Sequence, residues 1–326
     1  MQNTGDLIAD IYALGTGPWT MTPVTRGALG QIWKLSGNRS SWAVKELLFG
    51  CDEQAVEQEA ALRDTAEELG VRAPRLLPNH GGTYVSQLPA TLGGSYVKLY
   101  DWIDGPRADP SDPGNLSWCG RTLALLHQAG EGASRAPDAW YEECHPPTDW
   151  AELHRKVERA GLPWSDELGR FITGPAAELA AYVTPSGPDD VVISHLDIQP
   201  QNVLIGPAGP VLLDWDNAGP ISAERELAHV VYVWSGGPRC HADSARRLVR
   251  AYREAGGRAV VKSPEPFSML FATALNYVYV QAECAVDPTV TDAQREFAAG
   301  QVVASLGRVP DLTAVSRLTE ALETEW

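Results

Sequence analysis

The chain has 326 residues and a mass of 35.2 kDa, too long for one small domain and short for three. Its 44% hydrophobic and 21% charged residues are an ordinary globular composition and exclude a disordered chain. Lys+Arg number 26 against Asp+Glu 42, a net charge of −16, which disfavours nucleic acid as a partner and favours a cationic small molecule, unless the charge serves solubility alone.

Taken in chain order, residues 31–35 and 41–47 cluster β-formers on either side of Ser36-Gly37-Asn38-Arg39-Ser40, a loop of turn residues, and predict a hairpin. From residue 52 to 69 the spacing of Ala55, Glu59, Leu62, Ala66 and Leu69 predicts a helix, ended by Gly70. Residues 84–88 and 96–103 read as further strands. A break rich in proline and glycine follows at Asp104-Gly105-Pro106, and we place a boundary there, with lobes at 1–101 and 102–326. Helices are predicted over 116–128, 165–183, 223–235, 242–255, 265–286, 292–306 and 312–323. Strands at 191–194, 203–205 and 211–213 interrupt them. A β-rich first lobe and a larger helical second lobe make an α+β architecture of kinase-like organisation.

Cys51, Cys119, Cys144, Cys240 and Cys284 are odd in number and widely spaced, with no Cys-x-x-Cys, which argues against a zinc site and for free thiols in a reducing cytoplasm. Residues 1–10 lack the basic and apolar stretches of a signal peptide, and no run of about 18 apolar residues occurs, so a cytoplasmic chain without a membrane partner is expected. Monomer and homodimer both stay open.

The segment that carries chemistry is Ile193-Ser194-His195-Leu196-Asp197-Ile198-Gln199-Pro200-Gln201-Asn202-Val203-Leu204-Ile205, followed by Val211-Leu212-Leu213-Asp214-Trp215-Asp216. Its form is His-x-Asp-x4-Asn, a strand, a turn, a strand, then Asp. Phosphoryl transfer from a nucleotide needs such groups: one carboxylate to meet an acceptor hydroxyl, and oxygen ligands to hold Mg2+ at the phosphates. His195 reads as a structural residue that pins the loop. A Walker A pattern is absent. No Ala-Pro-Glu follows Asp216, and residues 217–222 leave no room for a protein-kinase activation segment, which favours a small-molecule acceptor.

Over residues 24–306 the sequence resembles the aminoglycoside phosphotransferase and choline kinase-like superfamily, which shares the protein-kinase fold. The resemblance implies that Asp197 orients the acceptor hydroxyl as base, that Asn202 and Asp214 bind Mg2+, and that Asp216 contacts a metal or a water. It implies that Lys45, in Trp42-Ala43-Val44-Lys45, bridges phosphate oxygens of ATP or GTP. Of Glu53, Glu57 and Glu59, it picks Glu59 as the helix carboxylate that fixes this lysine. Gly27 and Gly30, in Arg26-Gly27-Ala28-Leu29-Gly30-Gln31, resemble the loop over the nucleotide. Tyr100 and Trp102, in Lys98-Leu99-Tyr100-Asp101-Trp102, resemble the hinge that meets the base. Glu226, in Glu224-Arg225-Glu226-Leu227-Ala228, is expected to anchor the catalytic loop. Leu196 stands where many relatives have Gly or Asn. The implied function is ATP- or GTP-dependent O-phosphorylation of a small molecule, such as an aminoglycoside antibiotic. The alternatives are a metabolite kinase for choline, homoserine or a sugar, and a nucleotide-binding pseudoenzyme. Retention of Lys45, Asp197, Asn202 and Asp214 together speaks against the last.

Overall fold

Helix α1 (Thr4–Ile11) precedes three strands, β1 (Thr20–Arg26), β2 (Gly30–Ser36) and β3 (Ser41–Leu47). Next come α2 (Glu53–Glu68), β4 (Leu76–Leu77), β5 (Ser86–Gln87) and β6 (Tyr96–Asp101). Helices α3 (Pro113–Ala129), α4 (Ala139–Glu142), α5 (Pro147–Arg159), α6 (Ser165–Phe171) and α7 (Ala177–Ala180) follow. Four short strands, β7 (Val191–Ser194), β8 (Val203–Gly206), β9 (Gly209–Leu212) and β10 (Gly219–Ser222), lead to α8 (Ala223–Trp234), α9 (Ala242–Glu254), α10 (Ser268–Val286), α11 (Asp292–Leu306) and α12 (Leu312–Leu322). The structure is a computed structural model and describes residues 4–27, 30–37 and 40–326. Ala28 and Leu29 of the glycine-containing loop, and Asn38 and Arg39 of the expected hairpin turn, lie outside the described residues.

Two compact units share the chain. The first is Met1–Ala108 with Pro200–Ala218, and the second is Asp109–Gln199 with Gly219–Trp326. The first is β-rich and the second mostly helical, an α+β organisation. No helix of the described residues is long and apolar enough to cross a membrane.

In the first unit the sheet order is β1-β2-β3-β6-β4, with β5 also on β6, and every pairing is antiparallel. Pro23 has no N–H to donate, and the register of β1 shifts between Pro23 and Thr25, as suits an edge strand. Side chains alternate across the sheet. Val44, Val97 and Leu99 join Ile8 and Ala9 of α1 and Tyr12 just after it in one buried cluster. A second cluster contains Val56 and Ala60 of α2, with Tyr96 and Tyr100 against it. Asp52 caps α2 by accepting from the N–H groups of Gln54 and Ala55, and Gly70, with φ +93°, follows its end. The β8–β9 hairpin is sewn to this unit by its backbone. The Ala108 N–H donates to the Val203 carbonyl at 2.9 Å, Ile205 N–H to Pro106 at 2.8 Å and Leu212 N–H to Arg72 at 2.8 Å.

In the second unit α3 packs on α9 and β7 pairs antiparallel with β10. The contact is close at two glycines: a Cβ at Gly120 would lie 2.1 Å from the Leu248 carbonyl oxygen, and one at Gly130 1.7 Å from that of Ile193. The helix expected over 165–183 is broken into α6 and α7 by a wide turn at Ile172–Ala176, which contains Pro175. Proline cannot donate the helical hydrogen bond there, and the turn widens around it.

Candidate active site

The register of β3 and β6 sets Lys45 directly opposite Lys98, so both side chains leave the sheet on the face that α2 covers. Two adjacent buried ammonium groups need carboxylates, because an unpaired charge away from water costs several kcal/mol. Three are supplied. The Lys45 Nζ is 2.5 Å from Asp214 Oδ1 and 2.6 Å from Asp216 Oδ2. The Lys98 Nζ is 2.5 Å from Asp216 Oδ1 and 2.7 Å from Glu59 Oε2. Glu59 Oε1 also accepts from the Tyr100 hydroxyl at 3.1 Å and from Arg63 Nη1 at 3.2 Å. With Arg63 included, three cations face three carboxylates.

Burial works against the charge of Lys45, but Asp216 and Asp214 outweigh it and hold its pKa above the usual lysine range. Lys98 is raised in the same way by Asp216 and Glu59. Burial likewise opposes ionisation of Asp216, yet Lys45 and Lys98 bring its pKa down to about 2. The pairing of Lys45 with Glu59 that the sequence led us to expect is therefore corrected: Glu59 holds Lys98, and Lys45 takes Asp214 and Asp216. The reason is the cross-strand register, which puts a second lysine on the same face of the sheet.

Asp214 follows the end of β9, and Asn202 ends a short turn, Pro200–Asn202, just before β8. The Val203↔Leu212 pairing and a 2.7 Å bond from the Leu213 N–H to the Asn202 carbonyl bring the two residues to the same end of the hairpin. Asp214 has φ +61°, a left-handed conformation that Asp tolerates better than most residues. The neighbouring Trp215 is buried, and its Nε1 donates to the Leu212 carbonyl at 3.0 Å. Among the described residues no group of three His, Cys, Asp or Glu side chains could hold a metal alone. Mg2+ beside a nucleotide needs only one or two protein oxygens besides phosphate and water, and Asp214, with 43% of its side chain exposed, together with the Asn202 amide fits that demand. Asp216 fits it less well, since both of its oxygens already accept from an ammonium and its side chain is 16% exposed, whereas Asp214 has one oxygen so engaged.

The loop with Asp197 belongs to the second unit. Leu196 has φ +63°, and its N–H donates to Glu226 Oε1 at 2.8 Å. Glu226 Oε2 lies 2.9 Å from His127 Nε2, and His127 Nδ1 lies 2.9 Å from the Tyr252 hydroxyl. Burial alone would raise the pKa of Glu226, but His127 and the backbone of Leu196 lower it. Glu226 thus anchors the loop. His195 is fully buried and its Nδ1 accepts from the Asp197 N–H at 3.2 Å, a pinning role. Trp234 Nε1 donates to the Ile198 carbonyl at 2.9 Å. The Asp197 carboxylate accepts from Gln199 Nε2. Tyr141 is held neutral by burial first and by the Asp197 charge second.

The profile of the phosphotransferase enzyme family matches residues 20–266. The chain belongs to this family. Among solved structures it is similar to a spectinomycin phosphotransferase in complex with ADP and spectinomycin, at 15% identity and a TM-score of 0.65, over 98% of this chain and 97% of that one. An amicoumacin kinase in complex with AMP-PNP and Ca2+ is 13% identical with a TM-score of 0.59, over 93% and 92%. A choline/ethanolamine kinase family protein from Mesorhizobium loti is 17% identical with a TM-score of 0.52, over 98% of both chains. At these identities the likeness shows the fold, which is the kinase-like α+β fold. No curated protein sequence matches the chain. Family and fold together make it a small-molecule phosphotransferase.

In this family member the remaining site residues expected from the sequence all lie in the first unit. The Gly27 N–H, just after β1, donates to the Gly30 carbonyl at the start of β2 at 2.8 Å. A Cβ at Gly30 would lie 2.9 Å from the Glu46 carbonyl oxygen and 3.3 Å from Lys45 Cε, so glycine lets β2 pass close to this lysine. Tyr100 turns to Glu59 on the α2 face, and burial raises its pKa well above the ordinary value. Trp102 donates from Nε1 to Asp104 at 2.7 Å and has Lys34 Nζ 4.3 Å from its ring centre. Lys98 is the residue that sequence reasoning passed over. Its signal was present: a lysine in Tyr96-Val97-Lys98-Leu99-Tyr100, a strand otherwise made of β-formers, is buried by its neighbours and must find acid.

Proposed function

We propose that the protein transfers the terminal phosphoryl group of ATP or GTP to a hydroxyl of a small molecule, most simply an aminoglycoside-type antibiotic. The observation that carries this reading is the Lys45–Asp214 pair at the end of a hairpin that also bears Asn202. A cation for phosphate oxygens and oxygen donors for a divalent ion are the two things nucleotide phosphates require. In this reading the Asp197 carboxylate accepts the proton of the acceptor hydroxyl. The acceptor oxygen bonds to the terminal phosphorus as the bridging P–O bond to the nucleoside diphosphate breaks. The products are a phosphate monoester and ADP or GDP. Asn202 and Asp214 hold Mg2+, which when bound offsets the charge of the phosphates. Lys45 binds phosphate oxygens, and Asp216 orients lysines instead of touching the metal.

The antibiotic acceptor draws support from the net charge of −16 and from spectinomycin in the similar phosphotransferase. A second reading, an amino-alcohol kinase, draws on the microcompartment-associated aminopropanol kinase, 16% identical with a TM-score of 0.56 over 93% of each chain. The test is a panel of aminoglycosides, aminocyclitols and amino alcohols incubated with ATP and GTP and Mg2+, read by mass for a gain of one phosphoryl group. The first reading expects an antibiotic to gain it and the second an amino alcohol. Asp197→Ala is expected to lower kcat by at least about a hundredfold and to leave nucleotide affinity within about twofold, because this carboxylate acts on the acceptor. Loss of nucleotide binding in a folded Asp197→Ala protein contradicts the assigned role.

A further inference from the structure

In the first unit, the route from the helix carboxylate to the phosphate lysine runs through a second lysine. We propose that Lys98 is a positioning residue for Lys45, acting through Asp216, and this rests on the nucleotide-dependent reading above. The geometry is a chain of four charged groups: Glu59 Oε2 to Lys98 Nζ at 2.7 Å, Lys98 Nζ to Asp216 Oδ1 at 2.5 Å, and Asp216 Oδ2 to Lys45 Nζ at 2.6 Å. Asp216 is the pivot, because it gives one oxygen to each lysine. Lys98 and Glu59 side chains are each 2% exposed, so neither reaches out to a ligand. Glu59 is further fixed by Tyr100 and by Arg63 one turn along α2, which makes it the stationary end.

Without the Lys98 ammonium, Asp216 keeps one cation partner, Lys45, which already holds Asp214. The Lys45 ammonium would then be drawn between two uncompensated carboxylates and away from phosphate. With Lys98 present, half of the Asp216 charge is directed elsewhere and the Lys45 ammonium is held at a set height above the sheet. The role differs from simple charge balance in a measurable way. A residue that acts through Lys45 has nothing left to act on once the Lys45 ammonium is gone, so the two substitutions are non-additive. A residue that only neutralises buried acid has the same effect in either background.

The experiment measures the Kd of the full-length protein for MgATP and for MgGTP by calorimetry, with thermal unfolding recorded for each variant. The proteins are wild type, Lys98→Met, Lys45→Met, the double variant, Lys98→Arg and Asp216→Asn. Lys98→Met and Asp216→Asn are expected to weaken nucleotide binding about tenfold, and Lys98→Met less than about twofold when Lys45 is already Met. Lys98→Arg, whose fork can reach both carboxylates, is expected within about threefold of wild type. If Lys98→Met does not fold, the pair Lys98→Met with Glu59→Gln, which removes one charge of each sign, takes its place in the same cycle. Equal losses in both Lys45 backgrounds, or no loss at all, overturn the proposal while nucleotide binding by the wild type upholds the functional reading. A folded wild type that binds neither nucleotide overturns both.

Discussion

Leu196 is a β-carbon residue in a glycine conformation, beside the carboxylate we assign as base. A left-handed backbone costs a non-glycine residue about 1–2 kcal/mol. Its side chain is 4% exposed and packs with Ile221 and Met269, and deleting such a leucine costs about 2–5 kcal/mol. Packing outweighs strain, so Leu196→Gly is expected to destabilise the protein by about 1–3 kcal/mol in urea unfolding, despite the easier backbone. His229 offers a pH test. Its Nδ1 is buried without a hydrogen-bond partner, and burial, only partly opposed by Glu226, lowers its pKa to about 4. The unfolded chain takes up this proton around the ordinary pKa of 6.5 and the folded chain only around 4, so the contribution is intact above pH 6.5 and is lost as pH falls from 6.5 through 4. Stability is expected to drop by up to about 3 kcal/mol across that window, and His229→Leu to flatten this part of the profile.

At the scale of elements, Gly120 shows two effects in opposition. Alanine in mid-helix is favoured over glycine by about 1 kcal/mol. At this position its methyl group would meet the Leu248 backbone, so α3 must move off α9, and overpacking of this kind costs about 1–3 kcal/mol or more. Gly120→Ala is expected to lower the melting temperature, where an exposed helical glycine would raise it. Elements were legible where local chemistry marks them. Asp52 and Gly70 bracket α2, and α11 spans Asp292–Leu306 as its spacing predicts, with Thr291 and Gln294 forming a capping box. Strand β1 was not read, because Pro23 and a register shift disguise its alternation. Helices α1, α4 and α5 and strand β10 were also missed, α4 and β10 being only four residues long. At the candidate site, the carboxylates and Asn202 could be read from a motif confined to one stretch of chain. The Lys45–Lys98 juxtaposition could not, since it depends on the pairing of two strands 53 residues apart.

For the whole molecule, the decisive fact is that the first unit is not one stretch of chain. A boundary near residue 101 follows from proline and glycine content, whereas the return of residues 200–218 to the same unit leaves no mark on composition. A fragment of residues 1–108 therefore lacks Asp214 and Asp216, and it leaves the carbonyls of Arg72 and Pro106 without their hairpin partners. We expect this fragment to show no cooperative urea transition by circular dichroism, since two buried lysines would be left with Glu59 as their only acid in the network.

This divided unit also sets a timetable for synthesis. Ribosomes add roughly 5–20 residues per second, so the stretch from residue 108 to residue 218, about 110 residues, takes on the order of 5–20 s to emerge. Throughout that interval residues 1–108 are present without two of the carboxylates that neutralise Lys45 and Lys98. Lys45 thus reaches its final setting only after residues 200–218 have been made, and on the function we propose the nascent protein cannot grip nucleotide before the residues we assign to act on it have arrived.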